Sequence, residues 1–321
     1  MKNYIENLNL LRFISVSLVI FYHTQIFNLH LGRFGVDIFI TLSGFLITKS
    51  LYERTRIEFI ISRLAKILPS YFFITISIVL IHSIYPELIE SNYITCSEII
   101  KSLLFVPYIN KAGNYSPILP VGWSLNFEVM FYVVAFLSFL ISSKKYFYIL
   151  SLSLMLIWIF SSQASEEIIR FYGNSIIFEF LLGSLIYYLP NIRLKNGHFF
   201  FLVAISFILA LISESFFLET NRFAFFGVIS FLIVYLFRNS ESKARPIGAI
   251  KKVCSELGAA SYSIYLTHYF VIKLLKILFG LSTLVSLISY VTSICIGYIF
   301  YILFEKFLYS KIKGLRIKHI K

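Results

Sequence analysis

Long apolar runs separated by short polar stretches recur from Leu8 to Lys306. A membrane-crossing helix needs about 20 residues. Runs of that kind predict ten helices, at 8–27, 34–52, 67–85, 123–142, 146–161, 172–190, 198–214, 222–238, 259–279 and 284–306. The fifth and seventh are short and polar-flanked. The one long gap, His82 to Gly122, holds Pro86, Pro107, Gly113, Pro117 and Pro120, which break it into pieces. Its middle, Ser97–Val106, has the pattern of a short helix lying in an interface. Long ordered loops are uncommon without a function, so this one either covers the mouth of a cavity or is a plain connection.

The first run, LNLLRFISVSLVIFYHTQIF, is interrupted by Arg12 and His23. Ionisable groups in hydrocarbon are costly and usually face a cavity or a partner. Eleven residues apart, the two lie within about 20° of one helix face and about 16 Å apart along the axis.

Composition extends this to the whole chain. It is 58% hydrophobic and only 14% charged, with mean hydropathy +0.82; soluble domains carry about 25% charged residues. The expected fold is all-α, a polytopic integral membrane protein. The first run has an arginine and no small-residue cleavage site, so it reads as a retained span rather than a signal peptide. A net charge of +13 would suggest nucleic acid in a soluble protein. Here the sidedness of the charge accounts for it, and no nucleic-acid partner is expected. With the N-terminus in the cytoplasm, lysines and arginines favour the inner segments by about three to one, which sets both termini inside and brings basic residues to lipid headgroups. Residues 1–310 then form one transmembrane domain and 311–321 a basic tail. Cys96, Cys254 and Cys295 suggest neither a disulfide framework nor a metal site.

Depth along each run sorts the remaining polar residues. His23, Glu128 and Asp37 each fall three to five residues from the outer end of their runs, at nearly one level. An acid beside His23 would fix its tautomer and raise its basicity, as general-base chemistry requires. On the inner side Arg63 and Lys66 lie one turn apart, with Arg12 at a comparable depth. Such clusters suit phosphate groups. The inner-side preference of basic residues explains Arg54 and Arg56, but not Arg12 inside an apolar run. Gly35 and the Ser43-Gly44 pair permit close helix packing or close approach of a ligand; nothing in the sequence makes Ser43 a nucleophile. His268 is either a packed, hydrogen-bonded histidine or a catalytic one.

Five segments, LLRFISVSLVIFYH, FGVDIFITLSGFLI, SRLAKILPSYF, WSLNFEVMFY and LGAASYSIYLTHYF, occur in an order that resembles the acyltransferase-3 family. The resemblance implies a ten-helix domain in the bacterial cytoplasmic membrane that transfers an acyl group, usually acetyl. The donor is cytoplasmic acyl-CoA, a co-substrate rather than a permanently bound cofactor. The acceptor is a hydroxyl of a surface polysaccharide or lipid-linked glycan. On this resemblance Arg12 and His23 match the family's Arg–His pair, Arg63 and Lys66 its basic pair, and Glu128 the acid of the motif that Trp123 opens. Phe13 stands where glycine is common, Lys66 where arginine is, and Ile40 replaces an aromatic residue. The expected arrangement puts CoA phosphates near Arg12, Arg63 and Lys66 and the thioester near His23. His23 then acts as general base or as transient acyl carrier, oriented by Glu128 and Asp37. The competing class is a membrane transporter or flippase; the repeated halves and broken helices of such folds are not evident in the sequence.

Overall fold

A computed structural model describes residues 2–26, 32–85, 94–192, 196–217, 222–239 and 248–311. The expected basic tail beyond Lys311 and part of the long loop, 86–93, lie outside the described residues. Within them all regular secondary structure is helical. Helices α1 (Lys2–Thr24) and α2 (Gly32–Glu53) pack antiparallel at the centre. They approach closely because glycine faces the contact: a Cβ at Gly35 would stand 2.4 Å from the Ser15 carbonyl oxygen. Helix α3 (Arg56–Ile84) begins eleven residues before its apolar run, where Thr55 and Glu58 form a capping box. Its first turns are charged, so apolar patterning alone misses them.

Helix α4 (Cys96–Leu103) is the short amphipathic helix expected in the long loop. A tight turn at Pro120–Gly122 leads into α5 (Trp123–Ile141), followed by α6 (Tyr146–Ser162). The four-residue α7 (Glu167–Arg170) precedes α8 (Ile177–Ile186), with a 43° bend between the two pieces. Helix α9 (Asn196–Phe217) comes next, then a π-helical turn at Phe223–Gly227 that runs into α10 (Val228–Asn239). Helix α11 (Gly248–Ala259) lies where a loop was expected, and packs on α1. Its Lys251, Lys252 and Glu256 keep it from reading as an apolar run. Helices α12 (Ser261–Phe279) and α13 (Thr283–Phe300) close the fold, α13 continuing through a π-helical turn at Tyr301–Glu305.

Five helices among the described residues are long and apolar enough to cross a membrane, or six if the bent α7–α8 pair counts as one. Their burial differs: the apolar window of α2 is 78% buried and that of α13 only 17%. The central pair therefore carries the interior, and the outer helices present apolar side chains such as Leu80, Phe160, Phe200 and Leu303 outward. Gly44 of α2 and Gly183 of α8 face each other's backbones; a Cβ at Gly183 would stand 1.9 Å from the Thr41 carbonyl oxygen. Close packing, rather than ligand approach, is what Gly44 provides.

Candidate active site along the first helix

Arg12 of α1 lines two cavities that share it, Leu46 and Lys66. The wider, about 610 Å³, opens among Lys49, Arg54, Arg63 and Lys306. The narrower, about 80 Å³, continues from Arg12 between α2, α5 and α12, past Ser43, Glu128, Ser124 and Tyr265. Arg63 lies over the Phe59 and Tyr132 rings, at 5.6 and 5.7 Å, and its buried Nε has no hydrogen-bond partner. Lys66 Nζ stands 3.8 Å from a Glu305 oxygen, whose other oxygen accepts from Ser263 Oγ at 2.5 Å. Glu305 is not singled out in the sequence; its one signal is an acid at the end of the last apolar run.

Glu128 belongs to this basic cluster and not to His23. Tyr132 donates to Glu128 Oε1 at 2.6 Å and Ser43 Oγ donates to the same oxygen at 3.4 Å, and Glu128 acts electrostatically on Arg12 and Lys66. Glu128 lies deeper than its distance from the start of its run implies, because α5 starts inside the protein. Leu119 and Val121 are buried, and a Cβ at Gly122 would come within 3.0 Å of the Tyr71 ring, midway along α3. From that level Glu128 is about 9 Å down α5, and Lys66 is about 7.5 Å down the antiparallel α3. The two meet at the Arg12 end.

At the other end of α1, the His23 ring meets aromatic groups. His268 lies 5.1 Å away between ring centroids, and Tyr269 meets His23 edge-on at 5.7 Å. Lys276 Nζ donates to the His23 carbonyl oxygen at 3.3 Å. His268 is fully buried; its Nδ1 is 2.7 Å from the Tyr265 carbonyl oxygen, and its Nε2 has no partner. That contact requires the proton on Nδ1, so Nε2 presents a lone pair. Tyr265 thus joins the two regions: its ring lines the narrow cavity and its carbonyl fixes His268.

Asp37 is in neither region. Its oxygens accept from Arg222 Nε at 3.0 Å and Nη2 at 2.9 Å, and the buried Glu179 lies beside it. Gly35 faces α1, and Asp37, two residues on, is turned about 200° around α2. It therefore points toward α8 and α10. Arg222 starts its apolar run and Glu179 lies within one, and neither is singled out in the sequence. Trp123 packs edge-to-face on Phe127, with 6.3 Å between ring centroids.

The family model of the acyltransferase domain, acyltransferase-3, matches residues 5–302, and the chain belongs to this family of acyl-transferring enzymes. Exopolysaccharide production protein ExoZ of Rhizobium meliloti (strain 1021) is 28% identical over 261 residues, covering 76% of this chain and 77% of that protein. A provisionally named O-acetyltransferase of Staphylococcus aureus (strain COL) is 29% identical over 318 residues, covering 84% of this chain. The chain spans about half of that relative's length, 51%. Peptidoglycan O-acetyltransferase OatA of Listeria monocytogenes is 30% identical over 149 residues, 41% of this chain and 24% of that protein. No solved structure matches the chain.

Proposed function

We propose that the protein is a membrane O-acetyltransferase. It takes acetyl from acetyl-CoA at the Arg12 end of α1 and delivers it to a hydroxyl of a surface polysaccharide or lipid-linked glycan at the His23 end. In this reading ten helices cross the bacterial cytoplasmic membrane, with lipid around them and both termini in the cytoplasm. The observation that carries it is the pair of cavities sharing Arg12 and Lys66, the narrower ending at the tyrosine that holds His268 against His23.

The diphosphate of CoA is held in the wide cavity by Arg12, Arg63 and Lys66, the unpartnered Arg63 Nε supplying a charge-assisted donor. Glu128 and Glu305 hold these cations in place between turnovers. The pantetheine arm follows the narrow cavity, since the roughly 16 Å from Arg12 to His23 suits an extended chain. In turnover the unpartnered His268 Nε2, on a ring 5.1 Å from that of His23, takes up the His23 N–H, fixing its tautomer and leaving its other nitrogen as the base. This is the orienting role that the sequence assigned to an acid. The acceptor oxygen attacks the thioester carbonyl while His23 takes its proton. The C–O bond forms, the C–S bond breaks, and His23 returns the proton to the departing CoA thiolate.

Purified full-length protein in proteoliposomes, given radiolabelled acetyl-CoA and a membrane glycan fraction, is expected to label the glycan. His23→Ala is expected to lower transfer by about 10²–10⁴-fold while keeping acetyl-CoA binding. Full transfer by that variant would overturn the assignment.

A further inference from the structure

At the His23 end, a cavity of about 470 Å³ lies beneath the segment between α4 and α5. Its volume falls in the about 300–1,000 Å³ range of small-molecule sites. Tyr108, Asn114 and Ser116 line it from the segment, and Tyr269, Phe270 and Lys273 from α12. Tyr269 is also the ring that meets His23 edge-on, so one ring separates this cavity from the base.

The segment is built rather than merely draped. Asn110 Oδ1 accepts from the backbone N–H groups of Ala112 and Asn114, at 3.0 and 3.2 Å. The Asn114 carbonyl accepts from Asn110 N at 2.9 Å and Ser116 N at 2.8 Å, and Gly113 supplies the positive φ of +78°. Tyr71 donates to the Ser102 carbonyl oxygen at 3.1 Å and stacks on Phe105 at 4.7 Å, anchoring the segment to α3. Tyr115 ties the far side to the Glu167 carbonyl oxygen at 2.9 Å. The turn takes up the backbone of Asn114, but its side-chain Nδ2 reaches only the Ala112 carbonyl oxygen, at 3.5 Å. That carboxamide is available to exchange a long contact for a ligand. Burial raises the Tyr108 phenol above its ordinary range, so it stands as a neutral hydroxyl.

Rings on two walls with amide and hydroxyl groups between them match the chemistry of a sugar, whose C–H faces pack on aromatic surface and whose hydroxyls both donate and accept. The donor's phosphates find their cations at the opposite end of α1. We infer that this cavity binds the acceptor as a pyranose ring packed between Tyr108 and the Tyr269–Phe270 wall, with Asn114 reading its hydroxyls. The segment 94–122 would thus select which sugar is acylated. The inference rests on the proposed transferase reading and adds where and how the acceptor is held.

The test uses the full chain in proteoliposomes with radiolabelled acetyl-CoA. Short neutral oligosaccharides of glucose and of N-acetylglucosamine serve as acceptor probes, and the most heavily labelled one is taken forward. Asn114→Ala and Phe270→Ala are each expected to raise the KM for that saccharide by about tenfold, as loss of one polar or stacking contact predicts. The KM for acetyl-CoA should stay within about twofold. An unchanged saccharide KM in both variants overturns the assignment of the cavity, and so does a parallel rise in the acetyl-CoA KM. If the unaltered protein labels no saccharide and no membrane glycan, the transferase reading itself has failed.

Discussion

At the Arg12 end of α1, Arg12, Arg63 and Lys66 face the acids Glu128 and Glu305; at the His23 end, the described ring neighbours are Tyr22, His268 and Tyr269. One helix therefore carries a region dense in charge at one end and a region dense in rings, with Lys276 beside it, at the other. A CoA diphosphate is a multiply charged group and needs cations to leave water. A thioester and a hydroxyl are neutral, and a base acting on them needs aim and hydrogen-bond reach more than net charge. On the proposed reading, recognition of the donor falls to one end and the chemistry to the other. The roughly 16 Å between them is helix geometry.

The assignment treats the Asp37–Arg222 pair as framework, and the largest expected effect tests that. Arg222→Ala leaves the fully buried Asp37 carboxylate without its bidentate partner, a loss of about 3–5 kcal/mol. Thermal unfolding in detergent should shift down, and adding Asp37→Asn should recover part of the loss. The folded fraction should keep its turnover number. A variant of normal stability with no activity would bring this pair into the chemistry and break the two-region picture.

A smaller effect is expected from Arg12→Ala. Loss of charge-assisted contacts worth about 1.5–3 kcal/mol should raise the KM for acetyl-CoA about 10–100-fold. Turnover at saturating donor and the KM for the acceptor should stay within about threefold. A change confined to the acceptor KM would reverse the roles of the two ends.

The helices were legible because apolar runs of spanning length are hard to arrange otherwise; α11 and the first turns of α3 were not, because charged residues hide a helix from that pattern. In the site, Arg12, Arg63 and Lys66 are legible as one cluster because each lies within about four residues of the inner edge of its own apolar run. Glu128 and Asp37 lie elsewhere than their depth along the runs implies, for two separate reasons. Counting residues from a helix start assumes that the start lies at a surface, and α5 begins beside the middle of α3. Depth also says nothing of direction around a helix, and Asp37 is turned away from α1 by the glycine that lets α1 approach. The sequence alone leaves His268 between packing and chemistry. Its position against His23 comes from contacts between α1 and α12, far apart in sequence.

The central claim is that donor and acceptor are served from opposite ends of α1. It is tested most directly in sealed proteoliposomes sorted for a single orientation, with a saccharide acceptor facing the His23 end and labelled acetyl-CoA confined to one side. Acceptor labelling is predicted when acetyl-CoA is on the Arg12 side, and none when it shares the acceptor's side. Equal labelling from acetyl-CoA on the acceptor's side of intact vesicles would contradict the account.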